Sequence, residues 1–266
     1  MQQATIVQSI GSNRDAVGAR AASHLDLAFR HMMHGPGTEQ NENFMRVITG
    51  ELHPIGNLAI VSSPGDVAVT QAAIGPLVES NLPAAMLYCC GVSDEVARSV
   101  VALGFESEAM PAMAVDIERM PATYLPPGYE LTRTGVADGA GWTNAMAVGY
   151  GLPVGLARLF SPEVLGADMA PDAGTQFFSV VKDGRAVATT LLYLADGLAG
   201  IYCVATLPDE RAKGLAAHLT AEALRRAQRL GYRVGVLQSS PAGHSVYLRL
   251  GFEDLATVPM FVRIPT

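Results

Sequence analysis

The sequence predicts an α+β protein in which mixed, mostly antiparallel sheets are layered against helices and organised as two domains. Three observations carry this: β-rich runs joined by Asp-Gly turns, a later alternation of helix-period and strand-period segments, and an earlier copy of the same closing pattern, 147 residues upstream.

Length and composition agree. A chain of 266 residues suits one large or two ordinary domains, and 49% hydrophobic against 16% charged residues, with a mean hydropathy of +0.24, supports substantial cores and excludes a disordered or fibrous protein. The longest uncharged stretches, such as 141–157, are broken by Asn144, Pro153 and glycines, so no membrane span is expected. Residues 1–10 lack a basic segment leading into an apolar one, the mark of a secretory leader. Cys89, Cys90 and Cys203 are too few and too irregular for a disulfide framework or a zinc site, so no metal and a reducing cytoplasm are expected. The net charge of -7 sits in the first half: residues 1–125 hold 6 basic against 13 acidic side chains, residues 126–266 hold 12 of each. That imbalance disfavours nucleic acid as a partner.

Taken in chain order, residues 16–33 have the periodicity of an amphipathic helix and His53-Pro54 reads as a turn before the strand Asn57–Val61. A helix over 97–105 and a strand over Met113–Ile117 follow. The segment Arg119–Gly128, with Pro121, Pro126 and Pro127, lacks backbone donors and reads as a linker. Beyond it, Gln176–Val181, Ala186–Leu194 and Leu198–Ala205 are strands separated by the hairpin signals Asp183-Gly184 and Asp196-Gly197. From Gly214 the period changes: Leu215, Leu219, Ala223, Ala227 and Leu230 mark one helix face until Gly231. A strand over Val234–Leu237, a polar loop, a helix over 244–250 and a strand over Val258–Ile264 complete the order βββ-α-β-α-β.

The first half repeats the end of this pattern. Leu103-Gly104-Phe105-Glu106 matches Leu250-Gly251-Phe252-Glu253, and each precedes a Met-containing strand. A duplicated fold is expected, with domains over 1–125 and 126–266.

The chemistry is written in the second half. A strand running through a Gly-containing loop into a helix directs main-chain N–H groups and the positive end of the helix dipole into one space. Here Ile201–Ala205 is the strand, Arg211 and Lys213 add two cations, and Gly214 removes side-chain bulk at the helix mouth. Such a loop suits a pyrophosphate.

The segment from Cys203 to Ala216, with Arg211-Ala212-Lys213-Gly214-Leu215-Ala216 at its core, resembles the acyl-coenzyme A motif of the GNAT superfamily (GCN5-related N-acetyltransferases), Arg/Gln-x-x-Gly-x-Gly/Ala. Residues 240–252, with Tyr247 ahead of Gly251-Phe252, resemble that superfamily's second motif. The likeness covers about 128–266. It implies a two-domain GNAT architecture whose first half is degenerate, since Gly65-Asp66-Val67-Ala68-Val69-Thr70 lacks the loop pattern and Val100 stands 147 residues before Tyr247.

The resemblance implies roles residue by residue. Val204 and Thr206 line the pantetheine arm of acetyl-CoA, the amides of Arg211, Ala212, Lys213, Gly214, Leu215 and Ala216 hold its pyrophosphate, and Tyr247 protonates the departing thiolate. A phenol, with a reference pKa of about 10, is protonated at neutral pH and suited to that task. Where the motif usually has asparagine this chain has Ser239 or Ser240, and Ser240 is the expected pantetheine contact. Trp142, Asn144 and Tyr150 fall where GNAT proteins build the acceptor pocket. The expected activity is N-acetyl transfer to a primary amine of a small molecule or peptide, a longer acyl donor and a homodimer being compatible with the resemblance. A non-catalytic acyl-CoA sensor is the alternative. Neither His244 nor Cys203 is assigned a role, and the general base stays open.

Overall fold

The computed structural model describes residues 5–11, 13–63 and 66–265. Along the chain run α1 (Arg14–Met32), β1 (Thr38–Gln40), β2 (Phe44–Ile48), β3 (Asn57–Val61), α2 (Val67–Glu79), β4 (Ala84–Tyr88), α3 (Asp94–Val101), β5 (Glu106–Asp116), β6 (Glu130–Arg133), α4 (Gly139–Tyr150), α5 (Val154–Leu159), α6 (Pro162–Leu165), β7 (Thr175–Lys182), β8 (Arg185–Ala195), β9 (Leu198–Thr206), α7 (Leu215–Arg229), β10 (Val234–Gln238), α8 (Pro241–Arg249) and β11 (Glu253–Arg263). This is the expected mixed sheet-and-helix architecture. The order β1-β2-β3-α2-β4-α3-β5 recurs as β7-β8-β9-α7-β10-α8-β11. Pro64 and Gly65, next to the first half's counterpart of the phosphate loop, lie outside the described residues. Among those described, no helix is long and apolar enough to cross a membrane.

The chain divides into two compact units, and neither is one continuous stretch. One consists of Met1–Arg14 with Met113–Glu253, the other of Asp15–Ala112 with Asp254–Thr266. The boundary expected after residue 125 therefore falls inside the first unit, and the division cuts β5 instead. Long-range pairing is the cause. Before α1, Val7 N donates to Gly197 O (3.1 Å) and Ile10 N donates to Asp116 Oδ1 (2.8 Å), and Arg14, the first residue of α1, pairs with Glu253 (2.6 Å). At the other end β11 runs antiparallel to β4, pairing Phe261 with Met86.

In the unit holding Met113–Glu253, both Asp-Gly turns have positive φ at each residue: 49° and 76° at Asp183-Gly184, 47° and 66° at Asp196-Gly197. That geometry matches the twist of the strands it joins and closes the β7-β8 and β8-β9 hairpins. β6 lies outside β7, β10 pairs parallel with β9, and β5 borders β10. Leu215, Leu219, Ala223 and Ala227 of α7 are buried in one core cluster with Val180, Val187 and Ile201 of the sheet. Each fully buried leucine there contributes roughly 1.5–3 kcal/mol. The proline-rich linker has no helix or strand over 120–129, yet it is held to α7: Arg225 Nη2 donates to Pro121 O (2.8 Å) and Thr123 Oγ1 lies 3.1 Å from His218 Nδ1.

In the other unit the strand order is β1-β2-β3-β4-β11. Its core joins Ala73, Ile74 and Leu77 of α2 to Val96 and Val100 of α3 and to Tyr88 and Phe261, whose rings meet edge to face at 5.8 Å. Gly104 (φ 85°) follows α3 and Gly251 (φ 90°) follows α8, each ahead of a buried phenylalanine. These left-handed positions explain the matched Leu-Gly-Phe endings.

Candidate functional site

β9 and β10 share a short ladder, Gly235↔Ala199 and Val236↔Gly200, and β9 then continues to Thr206 with no strand partner on that side among the described residues. On its other side β9 carries a bulge. The register with β8 jumps from Thr189↔Ala205 to Leu191↔Tyr202, so Cys203 and Val204 together oppose Thr190. Cys203 sits at φ 53°, a left-handed conformation for a residue with a β-carbon. Two buried hydroxyls hold it there: Thr189 Oγ1 donates to Cys203 O (2.9 Å) and Thr190 Oγ1 to Tyr202 O (3.3 Å). The bulge turns the main chain at Cys203-Val204 out of the ladder.

β9 leads through a 3-10 turn at Pro208–Glu210 into the loop before α7. Ala212 (φ 61°) and Gly214 (φ 78°) are both left-handed, and no side chain caps α7. The amides from Ala212 through Ala217 find no acceptor among the described residues. This is the arrangement a helix mouth needs to receive an anion. A β-carbon on Gly214 would meet nothing within 4 Å, so the glycine serves the backbone angle rather than space. Both loop cations are engaged: Lys213 Nζ lies 2.6 Å from Glu210 Oε2, and Arg211 Nη2 donates to Gly149 O (2.8 Å). Glu210 also accepts from Tyr129 Oη and pairs with Lys182 (3.3 Å). Hydrogen bonds from Lys213 first, then Tyr129, hold the Glu210 carboxyl down to about 2.

Tyr247 is buried on α8 with its ring against Phe252 (5.7 Å), and burial pushes its phenol up to about 12. Gly243, one turn earlier, makes room for that ring, since a β-carbon there would come within 3.0 Å of Tyr247 Cε2. Tyr150, at the end of α4, brings a second hydroxyl. The residue as a whole is 45% exposed. Burial, then Tyr247 and Cys203, raises its pKa, while a hydrogen bond from the Val204 amide opposes the rise. The loop, the bulge and the two phenols belong to one unit.

Residues 154–252 match the model of the acetyltransferase (GNAT) family. Similar solved structures include a GCN5-related N-acetyltransferase from Kribbella flavida (20% identity, 93% of this chain and 95% of that one, TM-score 0.61). Another, from Sphaerobacter thermophilus, has 16% identity over 99% and 95% of the two chains, with TM-score 0.59. A tandem GNAT protein from the clavulanic acid biosynthesis pathway has 14% identity over 97% of each chain, with TM-score 0.54. At these identities the likeness shows the fold. No curated protein sequence matches the chain. The family match over this segment and these neighbours support a GNAT-superfamily protein. The same match supports an acyltransferase function.

The residues singled out in the sequence fall in three places. Val204 and Thr206 lie half-buried on the unpartnered stretch of β9, Arg211–Gly214 form the exposed loop, and Leu215 and Ala216 open α7. Ser240 caps α8, its hydroxyl accepting from Gly243 N (3.3 Å), and the adjacent Ser239 is buried with its hydroxyl on Ser240 O (2.9 Å). Trp142 is fully buried, meeting Phe177 edge to face at 5.4 Å, and its indole Nε1 has no acceptor among the described residues. It belongs to the core beneath α4, whereas Asn144 is on that helix's exposed face. Burial raises the pKa of Cys203, which makes it a poor nucleophile. No group of three or more His, Cys, Asp or Glu among the described residues is placed to hold a metal.

Sequence reasoning missed Thr189, Thr190, Gly149 and Glu210. Glu210 could have been found as the acidic partner three residues before Lys213. The bulge threonines look like ordinary β-formers, and Gly149 looks like a weak point in a helix.

In the first half of the chain both features are closed. Its β3-β4 ladder is continuous from Leu58↔Ala85 to Val61↔Tyr88, so the strands do not part. Asp66 caps α2 by accepting from Val69 N (2.6 Å), placing the chain's own carboxylate at the helix mouth.

Proposed function

We propose that the chain is an acetyl-CoA-dependent N-acetyltransferase acting on a primary amine of a small molecule or peptide. The observation that carries the reading is the presence, in one unit, of a bulged β9 that parts from β10, uncapped amides at the mouth of α7 and the buried phenol of Tyr247. The donor supplies a thioester carbonyl and a thiolate leaving group. The residues fit it: the exposed edge of β9 suits the amide-bearing pantetheine arm, and the amides of 212–217 suit its pyrophosphate.

Each residue then has a task. The Val204 amide faces the carbonyl oxygen where negative charge develops during attack. Tyr247, kept protonated by burial, donates its proton to the departing sulfur. Ser240 lies at the turn after β10 and contacts the pantetheine arm. Asn144 and Tyr150 approach the acceptor from α4. The positively polarised mouth of α7 attracts phosphate through main-chain dipoles, because Glu210 already neutralises Lys213.

A second reading, a non-catalytic acyl-CoA sensor, keeps the same uncapped amides at the mouth of α7 without an acceptor step. Calorimetry with acetyl-CoA, followed by thiol release with a panel of amines, separates the two. Binding with amine-dependent release of free thiol supports the enzyme. Binding with no release from any amine supports the sensor, and absence of binding removes both.

A further inference from the structure

β8 lays two threonines against the bulge of β9. Both are fully buried, and their hydroxyls reach the two carbonyls on either side of the Cys203 α-carbon: Thr189 Oγ1 donates to Cys203 O at 2.9 Å and Thr190 Oγ1 to Tyr202 O at 3.3 Å. Between those carbonyls Cys203 is left-handed (φ 53°), a conformation that disfavours any residue with a β-carbon and persists only where its surroundings fix it. The first half of the chain supplies a comparison. There β2 takes the place of β8 in the repeated order, and its residues Phe44-Met45-Arg46-Val47-Ile48 include no hydroxyl. Its ladder with β3 runs from Phe44↔Val61 to Ile48↔Asn57 without a shift. The strand without hydroxyls pairs regularly, and the strand with them faces a bulge.

We propose that Thr189 and Thr190 are positioning residues for the acyl donor, holding Cys203-Val204 out of the ladder so that the Val204 amide faces the thioester carbonyl. The proposal rests on the donor-site reading above. Both threonines are buried, so they act on the donor through the strand. The bulge sets two residues of β9 against one of β8, and each hydroxyl satisfies a carbonyl that the irregular pairing turns aside. Without its hydroxyl partner the Cys203 carbonyl is drawn back towards regular pairing, and Cys203 towards extended geometry. The edge of β9 that receives the pantetheine arm then loses its shape, while the amides at the mouth of α7 stay as they are.

The test compares dissociation constants of acetyl-CoA and of ADP, which has the nucleotide and pyrophosphate but no pantetheine. Calorimetry measures both for the wild type, Thr189→Val, Thr189→Ser and Thr190→Val. Valine keeps the branched shape of threonine, and serine keeps its hydroxyl. Acetyl-CoA affinity should fall about three- to ten-fold in Thr189→Val, the usual net value of one hydrogen bond, and by less in Thr190→Val, whose bond is longer. Thr189→Ser should regain most of the wild-type affinity, and the ADP constant should not move in any variant. An acetyl-CoA constant unchanged in Thr189→Val overturns the proposal. An equal loss for ADP also overturns it, because the effect is then general destabilisation. A loss in Thr189→Ser as large as in Thr189→Val does the same, because the effect then belongs to packing. A wild type that binds neither ligand contradicts the donor-site reading itself, a distinct outcome from an unmoved variant.

Discussion

Glu210 and Lys213 form a 2.6 Å ion pair inside the loop that opens α7, and the carboxylate is almost fully enclosed while the ammonium is half-exposed. The pair, with Tyr129 and Lys182 on the same carboxylate, fixes the turn from which the loop amides project. The loop is thus braced by its own charges, and the main-chain amides of its other side stay uncapped.

Glu210 should give the protein a distinct acid limb. Its pKa is depressed to about 2, so its contribution to stability is full above the unfolded-state value of about 4.3 and is lost as pH falls towards 2. Denaturant unfolding measured from pH 7 to pH 2 should show Glu210→Gln less stable at neutral pH, with the difference from wild type vanishing at the acid end. A difference independent of pH would contradict the assignment.

Gly214 should respond to backbone conformation rather than to size. A left-handed residue with a β-carbon costs roughly 1–2 kcal/mol, and asparagine tolerates that region better than valine. Calorimetry should find acetyl-CoA affinity falling in the order wild type, Gly214→Asn, Gly214→Val. Equal losses in Asn and Val would point to steric exclusion, which the open surroundings of the glycine do not predict.

Gly243→Ala should displace the Tyr247 ring without touching the loop. Because the new β-carbon would sit 3.0 Å from Tyr247 Cε2, kcat should fall while the dissociation constant for acetyl-CoA stays near wild type. Steady-state kinetics beside equilibrium binding checks this.

Trp142 should behave as core. Trp142→Ala should cost about 3–5 kcal/mol of unfolding free energy, and Trp142→Phe much less, since the buried indole nitrogen has no bond to lose. Chemical denaturation with fluorescence-independent detection, such as circular dichroism, measures both.

Much of the unit that holds Met113–Glu253 was legible because its signals are local. The two Asp-Gly turns specify their own hairpins, the four-residue spacing from Leu215 to Ala227 specifies α7, and Arg211–Ala216 carries a recognisable spacing. What was not legible depends on contacts between distant residues. Val7 on Gly197, Ile10 on Asp116 and β11 on β4 redraw the unit boundaries, yet none leaves a periodic trace. The bulge at Cys203-Val204 is equally silent, since its cause is the pair of threonine hydroxyls on the neighbouring strand. Trp142 reads as a pocket aromatic only while its burial against Phe177 is unknown.

In the proposed reaction Tyr247 protonates the departing thiolate. Once an acceptor is in hand, single-turnover rates of Tyr247→Phe measure it most directly, alongside its dissociation constant for acetyl-CoA. The account predicts a fall of about 10²–10⁴-fold in the chemical step with donor binding unchanged. An unchanged single-turnover rate would contradict it.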